Sequence, residues 1–462
     1  MRNSPSLLGG AALVALMTAC VAMPAQAKST RHHAVAASSG GSNNAQELRE
    51  LREEVGLLTA RLNAQDAAAS QARADAAQAK ADAQAAISQV QATQAQATDE
   101  IRRIPGAVQT AVAAIPKPKP GWEGSTSVSG RMYYDISNVN MKSNGVTPAG
   151  APNGTNLDIK RFYIGIDHKF NDTFSANVTT DFNYDSGPAG ATQLYLKKAY
   201  LQAKYSDALV LRLGSADLPW VPFVEDIYGY RYVENVMIDR AKFGTSADWG
   251  VHASGKVAAG GGMTISYAVS AINGMGYKKP GFIGGVNRSK GIDVEGRLSA
   301  SMHDFTVAVG GYTGKLGNDI QGAATFHNAE RFDALVAYTG KRIRLGGEYF
   351  YANDWADVKQ ANPLLTNSTE GWSGFGSFKM TDKLAVFGRY DWVKPKRDTA
   401  PTLVNNYFNV GVSYSPAKIV DFALIYKRDK VDNGIFATQN GSIGGSVDGY
   451  FDEIGLYSQF RW

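Results

Sequence analysis

Ile454-Gly455-Leu456-Tyr457-Ser458-Gln459-Phe460-Arg461-Trp462 alternates. Ile454, Leu456 and Phe460 recur two apart, and only Ser458 breaks the apolar row. Gly455, Tyr457, Gln459 and Arg461 fill the other positions. Residues two apart on a strand share a face, so this segment predicts a strand with one greasy side.

Such a final strand, ending on an aromatic, resembles the C-terminal signal of bacterial outer-membrane β-barrels. It predicts that apolar faces elsewhere in the chain point outward, at lipid. The opposite end agrees: Arg2 is followed by an apolar run from Leu7 to Met23 and by Ala25-Gln26-Ala27, a small-x-small cleavage site. Residues 1–27 therefore read as a secretory signal peptide. Met17-Thr18-Ala19-Cys20 also loosely resembles a lipobox, so lipidation at Cys20 is the alternative. Cys20 is the only cysteine; if it leaves with the signal, no disulfide or thiol chemistry remains. Past the signal no run of 18 apolar residues occurs, which excludes a helical membrane protein. The 47 basic and 42 acidic residues give no argument for nucleic acid.

Residues 28–47 read as a polar, disordered segment. From 48 to 104 an Ala-rich heptad repeat follows. Leu48, Val55, Leu62, Ala69, Ala76, Ala83, Val90, Ala97 and Ile104 fall seven apart, with Leu51, Leu58, Gln65, Ala72, Ala79, Ala86 and Thr93 at the matching d positions. This predicts a coiled coil of roughly 85 Å at about 1.5 Å per residue. The alternative is a lone helix favoured by alanine propensity. Pro105 is expected to stop it, and 105–121, ending Pro116-Lys117-Pro118-Lys119-Pro120-Gly121, reads as a stiff linker.

Residues 122–462 carry sixteen alternating segments, the mark of an all-β transmembrane barrel of antiparallel strands. Short turns (171–172, 206–207, 260–262, 303–304, 340–341, 381–383, 415–418) alternate with long connections (140–156, 185–193, 217–247, 274–289, 314–328, 354–369, 394–405, 431–447). That alternation puts both barrel ends on the short-turn side, the periplasmic one, where the helical stalk also has to be. In a barrel this wide the polar row faces an aqueous lumen. The lumen-facing cations are then Arg131, Arg161, Lys198, Lys204, Arg212, Arg297, Arg344, Lys379, Arg389, Lys427 and Arg461. Asp135, Asp181, Asp293, Glu295, Asp333, Glu348 and Asp391 share the face. Of the charged residues, 12 basic and 9 acidic precede residue 122, leaving the barrel 35 against 33, a net of +2. Overall charge thus leaves both an anion pore and a general channel open.

The 217–247 connection, Asp217-Leu218-Pro219-Trp220 to Arg231-Tyr232 and beyond, is too apolar to wave in water. It is expected to fold into the lumen and narrow it. Arg231, Arg240 and Lys242, with Glu225, Asp226, Glu234 and Asp239, would line the constriction. The alternative is an ordered outer loop at a subunit contact.

Three segments carry a family resemblance. Lys160-Arg161-Phe162-Tyr163-Ile164-Gly165-Ile166, Lys197-Lys198-Ala199-Tyr200-Leu201, and Arg212-Leu213-Gly214 followed by Pro219-Trp220 together resemble the phosphate-selective porin O/P family. The resemblance implies a homotrimer of sixteen-stranded pores, constricted by the loop after the fifth strand, with an arginine ladder guiding anions. Ser215-Ala216-Asp217 stands where the family has Gln-Phe-Lys, so an acid replaces a base at the loop's root.

The reading is therefore an outer-membrane porin in lipid, passing small hydrophilic solutes or anions, with no cofactor. Two alternatives stay open. One is a sugar porin with Trp220, Tyr228, Tyr230 and Tyr232 as a greasy track. The other is a structural tether from outer membrane to peptidoglycan through the stalk. An enzyme is not expected: no nucleophile, base and orienting group come together around His168, His252, His303 or His327.

Overall fold

The computed structural model describes residues 44–114, 125–184, 192–278 and 288–462. The signal peptide, most of the polar segment and the Pro-rich end of the linker lie outside the described residues. The chain divides into two units, Met1–Thr110 and Ala111–Trp462.

The described part of the first unit is a helix, α1, which spans Asn44–Ala114 and so runs a turn past the boundary. It starts inside the segment expected to be disordered and runs through Pro105, where it was expected to stop. A proline removes one backbone hydrogen bond; the Ala-rich turns after it have enough helix propensity to continue. Leu51, Val55, Leu58 and Leu62, on the heptad seam, are all more than half exposed. No helix among the described residues is long and apolar enough to cross a membrane.

In the second unit sixteen antiparallel strands close into a barrel. They are β1 (Thr126–Ser143), β2 (Gly154–Lys169), β3 (Phe174–Tyr184), β4 (Thr192–Ser206), β5 (Leu209–Asp217), β6 (Ala247–Gly260), β7 (Met263–Ile272), β8 (Asp293–Met302), β9 (Phe305–Gly314), β10 (Ala329–Thr339), β11 (Ile343–Asn353), β12 (Ser368–Lys379), β13 (Leu384–Lys394), β14 (Val404–Ala417), β15 (Val420–Thr438) and β16 (Gly441–Arg461). Each pairs with its neighbours in sequence, and β1 with β16 seals the ring in the register Arg131↔Arg461. Gly130 and Trp462 exchange backbone hydrogen bonds of 3.0 and 3.2 Å at the seam.

The alternation resolves as two faces. Val128, Ile166, Val178, Leu201, Leu213, Val251, Leu298, Val336, Leu345, Val410, Leu424 and Leu456 stand exposed on the outside. Their alternates, such as Asn177, Asp181, Asp293, Glu295 and Asp391, are buried inside. An apolar belt of this extent is stable only under a hydrocarbon layer.

The expected loop 431–447 is not a loop. β15 and β16 continue as a hairpin through it and turn only at Gln439-Asn440. The Gly, Asn and Asp residues that suggested a loop instead make a bulge near Asp432 and Gly434.

Candidate functional site: a basic passage beside an infolded loop

The site is set by the chain between β5 and β6. Two short helices form in it: α2 (Val221–Tyr228), with proline in its first turn, and α3 (Met237–Arg240). Gly229 ends α2 in the left-handed region at φ +77°, its N–H donating to the Glu225 carbonyl at 2.9 Å. A side chain there would have to occupy the space of the Arg344 guanidinium.

One face of this loop is apolar and wholly buried. Val221, Val224, Ile227, Tyr228, Met237 and Ile238 pack against Ala308, Leu335, Ala337, Phe350, Phe375 and Val393, inward residues of β9 to β13. The loop therefore lies inside the barrel. The inner row of this half is consequently not uniformly polar, as the lumen reading expected. Phe350, Phe375, Phe387 and Ile425 face inward because they face the loop, not water.

Charged groups clamp the loop to the same wall. Trp220 donates its backbone N–H to Glu295 and its indole N–H to Glu348, both at 2.9 Å. Arg297 donates to the Pro219 carbonyl at 2.9 Å and lies 3.9 Å from the Phe223 ring centre. Arg240 is fully buried, donating to Asp391, Asp429 and Asn405 at 3.0, 3.0 and 3.1 Å. Lys427 joins Glu234 (3.1 Å) to Glu453 (2.8 Å). Burial disfavours the Glu234 charge, but Lys427 and Lys160 outweigh it and hold that carboxyl well below the usual range.

What stays open lies against β1 to β5, and that wall is basic. Its charge is doubled by two bulges. Tyr133 pairs with Arg161 while Tyr134 pairs with Ile159, leaving Lys160 as the extra residue. Thr179 pairs with Lys198 while Thr180 pairs with Leu196, leaving Lys197 extra. A bulge suspends the two-residue alternation, so both members of each basic doublet face inward. Lys160 donates to the Tyr457 hydroxyl at 3.0 Å and approaches Asp135 at 3.9 Å. Arg161 is 3.7 Å from Asp181, Lys198 is 2.5 Å from Asp217, and Lys197 donates to the Tyr163 hydroxyl at 3.2 Å. Arg231 pairs with Glu225 across the loop. Among the described residues, Arg131, Lys197 and Lys278 have no carboxylate within ion-pair distance.

Three chambers meet at Arg231. On the short-turn side a cavity of about 600 Å³ is lined by Arg131, Lys197, Lys198, Arg231 and Arg461 against Asp217, Glu225 and Asp226. On the long-loop side, cavities of about 400 and 270 Å³ share Arg161, Arg231, Asn235 and Gln439. Burial raises Asp226, and the neighbouring Glu225 and Asp217 raise it further. Burial pushes Asp239, on the larger outer cavity, up to about 6. Burial works against the Arg231 charge, yet Glu225 and nearby groups keep it firmly protonated.

The expected constriction residues thus separate. Arg131, Arg161, Lys198, Asp217, Glu225, Asp226 and Arg231 come together along the passage. Lys242 lines the larger outer chamber. Arg344 lines a recess beneath the loop at the short-turn rim, and Arg212 donates to Gln202 at 2.9 Å on the same basic wall. Arg240, Arg389 and Arg297 are corrections. Arg240 and Arg389 are 0% and 4% exposed in the packing behind the loop, and Arg297 holds the loop's root. They do face inward, but the loop covers them. The aromatic track is likewise packed away: Trp220, Tyr228 and Tyr232 are buried, and Tyr230 stacks on Phe387 at 3.9 Å. Sequence reasoning missed Lys160, Lys197 and Lys278. The doublets Lys160-Arg161 and Lys197-Lys198 were the signal, since a strand in strict alternation would aim one of each pair at lipid.

No protein-family model and no curated protein matches the chain. Solved structures do. An anion-selective porin from Comamonas acidovorans superposes with a TM-score of 0.51 at 12% identity, over 73% of this chain and 99% of that one. A loop L8 deletion mutant of OmpT, an outer membrane protein of Vibrio cholerae, gives 0.48 at 14% identity, over 73% and 99%. The outer membrane channel DcaP of Acinetobacter baumannii gives 0.46 at 12%, over 73% and 97%. At such identities the likeness to the first is one of fold: this barrel has the architecture of an outer-membrane porin.

Proposed function

We propose that the protein is an outer-membrane porin, a passive diffusion pore for small hydrophilic solutes that prefers anions, inorganic phosphate among them. The observation that carries this is the wall of β1 to β5. There Arg131, Lys160, Arg161, Lys197 and Lys198 face Arg231 across the passage, and Arg131 and Lys197 have no carboxylate within ion-pair distance among the described residues. Unpaired cations at a narrow point favour anions. The apolar belt and the sealed β1–β16 seam support a location in lipid, and the fold supports assembly as a homotrimer. The phosphate preference rests on the three resembling segments alone; their residues 160–166, 197–201 and 212–214 lie on this wall, and Pro219-Trp220 lies in the infolded loop.

The test is the reversal potential of purified protein in a planar bilayer under a KCl gradient, repeated with added phosphate. Anion preference with phosphate block is expected. Cation preference would overturn the anion reading, and absence of channels from folded, heat-modifiable protein would overturn the pore.

A second reading concerns α1 and adds to the first. Its seam residues Leu51, Val55, Leu58 and Leu62 are exposed, which suits pairing with copies of itself in a trimer and a tethering role toward peptidoglycan. Deleting α1 tests it: loss of envelope integrity with intact conductance is expected, and an intact envelope would overturn it.

A further inference from the structure

The hairpin of β15 and β16 does not end at the barrel rim. At Gly434 and Gly444 the backbone takes φ of +146° and +119°, and these two residues lie against each other, so that a Cβ on Gly444 would come within 2.0 Å of the Gly434 carbonyl oxygen. Beyond this bend the hairpin folds inward. Thr438 and Asn440 both donate to Asp429 of their own hairpin, at 2.8 and 3.0 Å. The Gln439 backbone N–H donates to the Arg240 carbonyl at 2.9 Å, and its side-chain amide to the Asp239 carbonyl at 3.3 Å. Phe436 stacks on Phe243 at 6.3 Å. The tip is thus bonded to α3, inside the mouth.

Its position has a consequence for the passage. Gln439 lines both outer chambers, and both also contain Arg161 and Arg231. Taking the pore reading as given, we propose that the hairpin tip is a second constriction element. It divides the outer mouth into two openings that merge at Arg161 and Arg231, and it sets which solutes reach the basic wall. The larger opening passes Lys242 and Lys278; the smaller passes Lys160 and Asp158. An anion entering by either one moves between the neutral amides of Asn235 and Gln439 and the two guanidiniums. The tip also braces α3 from above, opposite the Arg240 clamp, so the infolded loop is held from the wall and from the mouth.

The first test replaces residues 435–443 with an Asn-Gly turn, a sequence suited to a two-residue hairpin loop. Single-channel conductance is expected to rise about twofold, because a dividing element is gone from the mouth. A shortened hairpin that folds and conducts as wild type does would overturn the proposal. Gln439→Cys gives an independent reading that keeps the hairpin whole. Cys20 is the only native cysteine, so wild-type protein treated in parallel reports background labelling. An anionic thiol reagent at position 439 is expected to shift the reversal potential toward cations, and a cationic reagent to shift it toward anions. A thiol that stays unlabelled, or a labelled one that leaves conductance and selectivity unchanged, overturns the proposal. A wild-type barrel that fails to conduct would defeat the pore reading itself. Conduction with a silent tip would defeat only this inference.

Discussion

At the scale of single residues, the passage is governed by which cations keep their charge available. Lys198 directs much of its field at Asp217, 2.5 Å away, whereas Lys197 lies against the neutral Tyr163 and Tyr277 with no carboxylate within ion-pair distance among the described residues. Lys197→Ala should therefore lower the anion-to-cation permeability ratio more than Lys198→Ala. One unit charge at ~4 Å in water is worth roughly 1 kcal/mol, about fivefold. Asp217→Asn should raise the ratio by freeing Lys198. Reversal potentials of the three variants check both statements. Acidity should act in the same direction through Asp239. Burial raises its folded value to about 6 from an ordinary 3.8, so the ionised carboxylate penalises the folded loop above about pH 6. That penalty is released as pH falls from there toward 3.8. The outer chamber, which also holds Arg161 and Arg231, gains positive charge as pH falls through about 6. Anion preference should increase between pH 7.5 and 5, and Asp239→Asn should weaken the dependence. Much of this was legible in the sequence: Arg131, Arg161, Asp217, Glu225 and Arg231 were placed by alternation and by the loop's composition. Lys160 and Lys197 were not, because period-two reading assigns alternate residues to opposite faces and has no place for an inserted one.

At the scale of elements, the strands were the most readable feature. Sixteen alternating segments were expected and sixteen strands are observed, since an apolar outer row recurs wherever lipid is the solvent. The infolding of the 217–247 segment was readable for the same physical reason: too much apolar surface for water. Its partners were not, and so Arg240 and Arg389 were put on the pore when they hold the loop to the wall. Nor was the hairpin tip, because Gly434, Gly441 and Gly444 suit a loop as well as they suit a bent hairpin. The loop's main anchor is Trp220, buried and bonded at both of its N–H groups. Trp220→Ala should cost the docked loop about 3–5 kcal/mol, exceeding what a short infolded segment can recover elsewhere. The expected result is a noisier, larger conductance from a barrel whose heat-modifiable migration on gels is unchanged. Unchanged conductance would mean the Arg240 and Arg297 contacts hold the loop by themselves.

At the scale of the whole molecule, the chain joins two units of different solvent logic, a helix with an open seam and a barrel with an apolar outside. Removing residues 44–114 should leave the conductance per pore unchanged, measurable in bilayers. Leu51→Asp with Leu58→Asp should lower the yield of any cross-linked oligomer that depends on the seam. The barrel's asymmetry has a further consequence, for the order in which it folds. The infolded loop lies early in the barrel sequence, but its landing surface comes late: Arg240 reaches Asp391 and Asp429 across 151 and 189 residues. Strands β8 to β13 must therefore form before the loop's apolar face has its landing surface, and β15 before Arg240 has both of its carboxylates. Contacts of such long sequence separation slow folding. Through most of assembly the apolar face of α2 is uncovered, and a chain caught at that stage carries a greasy strip on the inside of an unfinished sheet. The segment that fills part of the finished barrel is also exposed to misfolding while the barrel is being made.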